Sequence, residues 1–204
     1  MESNLGLFLL SIVGISLTGV MLPGPMTAAT IAKGYGNRDA GALIAVGHGV
    51  VEVPLIVAIY FGFGQLVNSA HVVTGIYIAG GLMLLYLAFR MLRTIGGTPG
   101  EVAGLPSSSV VTGIVLTGGN AAFYVWWATV GVALVAGAAR FGVTGLVLFT
   151  VVHWVCDLGW SEFLSASTFK SRRWWNRRVQ KAVFTVCGLI LGGFGVWFCV
   201  SAVL

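Results

Sequence analysis

His48 and Glu52 stand four residues apart within a run of apolar residues, and His153 and Asp157 repeat the spacing in the second half of the chain. An i, i+4 pair shares one face of a helix. The runs around both pairs are long enough to cross a bilayer, where an ionised side chain costs roughly 2.5 to 3.5 kcal/mol on insertion scales. The acids therefore require partners, protons or water. Three chemistries fit His48, Glu52, His153 and Asp157. They can form a polar lock in which each imidazole satisfies its acidic neighbour. They can titrate, since His changes charge near neutral pH, and so couple proton flow to transport or balance a cationic substrate. They can also ligate a divalent metal ion through two imidazoles and two carboxylates. The duplication favours the second chemistry, because it brings both pairs to one cavity. Without thiolates or a His-rich loop, the metal site is the weaker alternative.

The opposite polarity is available nearby. Pro23-Gly24-Pro25 interrupts the first apolar run: each proline removes a backbone donor and clashes with the preceding turn, and Gly24 relaxes the chain between them. A new helix is expected near Met26, with Pro25 in a first-turn position and Thr27 in that turn. In the fourth run Gly118 and Gly119 precede Asn120, the expected N-cap of a second broken helix. Each restart would turn N–H groups and a positive dipole end into the cavity, which suits a carboxylate. Pro23, Gly24, Pro25, Thr27, Gly118, Gly119 and Asn120 are thus the expected substrate-binding residues. Such helix starts beside intramembrane acids describe a pocket for a zwitterion, and favour an amino acid over a bare cation.

The elements that must position these groups follow from composition. Of 204 residues, 57% are hydrophobic and 8% charged, against roughly 25% charged in soluble domains. The chain is expected to be an all-α integral membrane protein, since the alternating segments of about 10 residues that mark a membrane barrel are absent. Six apolar segments are expected, at 5–31, 40–66, 72–92, 110–139, 141–166 and 182–204. The first and fourth exceed the length of a straight span of about 20 residues, as broken helices would. Residues 1–93 and 110–204 form two halves of a single transmembrane domain, joined by the Gly- and Pro-rich linker 94–109. Cys156, Cys187 and Cys199 lie within apolar runs and form no C-x-x-C. The first segment lacks a basic leader and a cleavage site, so it is expected to be retained.

Basic residues set the orientation. Lys33 and Arg38 follow segment one, Arg90 and Arg93 follow segment three, and six more between Lys170 and Lys181 follow segment five. Arg140 alone lies elsewhere. By the positive-inside rule these three connections are cytoplasmic and both termini lie outside. The basic and aromatic run 172–178 adjoins a span, so it is assigned to interfacial anchoring and not to nucleic acid.

The halves also match each other. Thr18-Gly19 aligns with Thr112-Gly113, His48 to Glu52 with His153 to Asp157, and Gly80-Gly81 with Gly192-Gly193. Three helices per repeat force the second copy to enter from the opposite face, and inverted repeats with broken helices point to a secondary transporter. Gly188, Gly192 and Gly193 have the small-residue spacing of a close helix contact, within one protomer or in a homodimer.

The Pro-Gly-Pro of segment one, the Gly-rich helix pair after it, Asn120 and the six-helix inverted plan resemble the LysE family of amino-acid exporters. The resemblance covers nearly the whole chain. It implies export of amino acids such as lysine or threonine, or related small molecules, across the cytoplasmic membrane, driven by an ion gradient. It implies no cofactor and no enzymatic activity, and no H-E-x-x-H, nucleotide-binding loop or Ser-His-Asp arrangement is apparent. Pro23, Gly24 and Pro25 match the family's first-helix motif, and Asn120 matches the Asn of its fourth-helix Asn-Pro motif. Ala121 stands where that motif has proline. The wider superfamily includes thiol-electron carriers, which need paired cysteines on the broken helices, and metal exporters. The cysteines here lie in other segments, so a divalent cation exporter using His48, Glu52, His153 and Asp157 is the alternative.

Overall fold

The computed structural model describes residues 4–21, 24–62, 70–93, 105–174 and 177–203. Asn4 opens the first helix, α1 (Leu5–Val20), its Oδ1 accepting from the N–H of Gly6 at 2.8 Å and of Leu7 at 3.3 Å. Pro25, with no N–H to leave unsatisfied, begins α2 (Pro25–Gly34), which is bent 79° from α1. Then follow α3 (Ala40–Tyr60), α4 (Ala70–Arg93) and α5 (Ser109–Gly118), the last capped by the Ser108 hydroxyl. Helix α6 (Ala121–Ala139) contains a π-helical turn at Trp127–Gly131. A tight turn with Gly142 at φ +66° leads into α7 (Gly142–Ser171), and α8 (Arg177–Ser201) completes the order. No strand occurs among the described residues.

Each of the six apolar segments is helical over most of its described residues, two of them as broken pairs. Four helices (α3, α6, α7 and α8) are long and apolar enough to cross a membrane, and the bent pair α1 and α2 together makes a fifth candidate span. The expected linker lies largely at 94–104, outside the described residues. Two helices overrun their expected ends: α7 continues to Ser171 and α8 begins at Arg177.

The two helices that carry the acids are apolar on their outer faces. On α7, Val143, Val147, Val151 and Val155 are exposed, while His153, Asp157, Ser161, Ser165 and Thr168 on the opposite face are buried. Val46, Val50, Val53 and Val57 form the matching outer stripe of α3. A water-soluble domain would reverse this pattern, so the exposed stripes face lipid.

Helices α3 and α7 form the centre, with α5 packed on α3 and α1 and α2 on α7; α4 and α8 pair beside them. The α3–α5 contact is backbone to backbone. A methyl group on Gly47 would meet the Val110 carbonyl, and one on Gly113 the Ile44 carbonyl. Gly188 and Gly192 face Leu92 and Ala88 of α4, so this spacing serves a contact within the protomer. Gly193 is exposed, and Gly81 packs against Gly195 and Cys199.

Several polar contacts fix the ends. Glu162 Oε2 accepts from the N–H of Ala42 at 3.1 Å, which satisfies the start of α3, where Asp39 makes no side-chain cap. Lys33 donates to the Ser107 carbonyl at 2.7 Å, and Arg172 to the Tyr35 carbonyl at 2.7 Å.

Candidate functional site

The four expected polar residues meet between α3 and α7. His48 Nε2 lies 2.9 Å from Glu52 Oε1, and His153 Nε2 lies 3.2 Å from the same oxygen. Asp157 is more loosely held, its oxygens 3.9 Å from His48 Nε2 and 3.7 Å from His153 Nε2. The expected pairs are therefore crossed: His48 bonds its own acidic neighbour, but His153 bonds the acid of the other helix. All four side chains are buried, Glu52 to 1% exposure and Asp157 to 4%.

Each imidazole is held from behind by a hydroxyl on a third helix. His48 Nδ1 is 2.9 Å from Thr117 Oγ1 on α5, and His153 Nδ1 is 2.7 Å from Ser16 Oγ on α1. An ionised Glu52 only accepts, so both Nε2 atoms then carry protons towards it. In the neutral ring Nδ1 accepts from the hydroxyl; in the charged ring it donates, and the hydroxyl must turn away. Thr117 then has a ready acceptor in Met26 Sδ at 3.6 Å, in the first turn of α2.

These groups line a cavity of about 360 Å³, a size that holds a small-molecule ligand. Gly24, Pro25, Met26 and Thr27 line it from α2, and Asn120 and Ala122 from the start of α6. Both helix breaks thus open on the cavity. The helices restart at Pro25 and Ala121, so the equivalent caps are Gly24 and Asn120, two residues off the Thr18 to Thr112 alignment. Asn120 occupies the N-cap position without making a side-chain cap; its Oδ1 is buried with no partner.

Two expected residues lie elsewhere. Gly118 and Gly119 are not on the cavity wall: Gly118 is exposed, and Gly119 packs against Met83 and Gly80 of α4. Their use is close approach of α4 to the break, where a side chain on Gly80 would strike the Gly119 carbonyl. Pro23 falls outside the described residues.

Ser16, Thr117 and Trp160 were not anticipated. Lone hydroxyls in apolar runs carry no motif, and only the packing of α1 and α5 shows which of them face an imidazole. Trp126 and Trp127 wall the cavity and both contact His153, at ring-centroid distances of 5.6 and 5.4 Å. Adjacent residues on a regular helix point about 100° apart; the π-helical turn starting at Trp127 lies where both rings reach one imidazole.

Broken membrane helices around a cavity with buried ionisable groups are a feature of multi-pass transport proteins. Residues 17–202 match the LysE type translocator family, and the chain belongs to that family. Its members are transporters and not enzymes. No curated protein and no solved structure matches the chain.

Proposed function

We propose that this protein exports amino acids or related small zwitterions across the cytoplasmic membrane by proton-coupled alternating access. The observation that carries the reading is the convergence of His48, Glu52, His153 and Asp157 with two helix breaks on one cavity. Among the described residues, no Lys or Arg lines that cavity. An ammonium group and the imidazole protons compete for the same carboxylate oxygens, so binding one displaces the other, which is the condition for exchange. The first turns of α2 and α6 leave N–H groups without a carbonyl behind them, and these receive the substrate carboxylate.

The packing supports an inverted repeat of three helices. Exchanging the halves turns the α1–α7 contact into α5–α3, α2–α7 into α6–α3 and α2–α8 into α6–α4, and all of these contacts occur. The Ser16–His153 and Thr117–His48 bonds join the same exchanged pairs of helices, from hydroxyls at different heights on α1 and α5. Helix α4, at 24 residues, is about 36 Å long and completes six spans. In this reading the basic connections are cytoplasmic and both termini are outside.

A second reading has one specific observation in its favour. Ligand atoms of His48, Glu52 and Asp157 all lie within 4.8 Å of one another, a spacing from which a divalent cation can be gripped. The cation would then be cargo.

Reconstituted protein decides between them. Proton-driven amino-acid flux is expected with the native chain and is expected to be lost in Glu52→Gln and in Asp157→Asn. Intact proton-dependent flux in both variants overturns the coupling, and flux of Mn²⁺ or Zn²⁺ without amino-acid flux supports the metal reading.

A further inference from the structure

The chemistry of the cavity wall narrows the cargo. Among the described residues, four buried polar atoms have no hydrogen-bond partner: Glu52 Oε2, Asp157 Oδ2, Asn120 Oδ1 and Trp160 Nε1. All four residues line the cavity. Buried polar groups are normally paired, and each orphan marks a place where a ligand atom is rewarded. Three are acceptors and one is a donor. That census is complementary to a primary ammonium, which offers three N–H bonds, together with a small acceptor group.

The rest of the wall is of another kind. Phe123, Trp126, Trp160, Phe194, Trp197 and Leu164 supply large apolar faces. The acids of the cavity are all at the imidazole cluster, and α8 brings only Phe194 and Trp197 to the lining. A second cationic head lying there would have no counter-charge. A small side chain would leave the aromatic faces without contact.

We propose that the cargo is an amino acid with a large apolar or aromatic side chain, its ammonium received by the orphaned oxygens of Glu52, Asp157 and Asn120. Trp160 Nε1, with the helix starts, receives the carboxylate, and the aromatic wall receives the side chain. The inference rests on the amino-acid reading above and deepens it. Burying a Phe-sized side chain favours such a cargo over glycine by about tenfold or more in affinity.

The test is a thermal-unfolding panel on the purified full chain, since a ligand at free concentration L that binds the folded state stabilises it by RT ln(1 + L/Kd) and so raises the midpoint. The ligands are phenylalanine, leucine, glycine, lysine, 3-phenylpropionate and ZnCl₂. Phenylalanine and leucine are expected to stabilise at concentrations at least about tenfold below those needed for glycine or lysine, with phenylpropionate inert for lack of an ammonium. Phe194→Ala is expected to weaken phenylalanine and leave glycine unchanged; Trp197→Ala, whose side chain is half exposed, repeats the test should the first variant misfold. Lysine or glycine binding as tightly as phenylalanine overturns the inference while leaving amino-acid export standing. Stabilisation by Zn²⁺ alone overturns both.

Discussion

Ser16 and Thr117 tie the two imidazoles to the broken helices, and in the proposed mechanism they carry the change of imidazole charge to them. Each hydroxyl bonds an Nδ1 atom from a helix that ends at a break, α1 or α5, and each must reverse its bond when the ring gains a proton. Ser16→Ala and Thr117→Val remove that contact while leaving the carboxylates and both imidazoles in place. A buried hydrogen bond of this kind is worth about 0.5 to 1.5 kcal/mol, so proton-driven flux is expected to fall up to about tenfold in each variant. Flux at the native rate would remove the hydroxyls from the coupling. The four titratable residues were legible in the sequence because charge is conspicuous in an apolar run. Their cross-wiring was not, since the bond from His153 to Glu52 depends on how α3 and α7 lie against each other.

At the scale of elements, the breaks were legible from proline and glycine, but the work of each glycine was not. Gly119 belongs to the contact with α4, and the cavity is reached through Gly24, Pro25, Asn120 and Ala122. Sequence spacing places a glycine at a break; it does not say which side of the break a neighbouring helix occupies. Gly80→Ala tests the contact directly, because its new methyl would meet the Gly119 carbonyl and only backbone movement relieves that clash. Overpacking of this sort costs about 1 to 3 kcal/mol, and a lower unfolding midpoint is expected. An unchanged midpoint would show that α4 yields freely. The helix periods themselves were easy to locate, and the errors were confined to ends such as that of α7, where a helix runs on past its apolar stretch.

For the whole molecule, the apolar composition and the apolar outer stripes of α3 and α7 agree on a multi-pass membrane protein, and the proposed orientation rests on where the basic residues fall. Arg173 is exposed just after α7. Arg173→Cys is expected to react with an impermeant thiol reagent only after cells are opened, and a cysteine at Val203 in intact cells. The reverse pattern would invert the topology. The proposed three-helix repeat is read from matched motifs, and its register at the breaks is taken from the helix caps at Gly24 and Asn120. The π-helical turn of α6 has an optical consequence. Two indoles flank one imidazole, Trp126 stacked on it at 18° and Trp127 set edge-on at 82°. An imidazolium quenches indole emission by accepting an excited electron, whereas a neutral ring does so poorly. The proposed site would therefore carry its own fluorescent gauge, dimming as His153 takes up a proton and brightening as it gives one away.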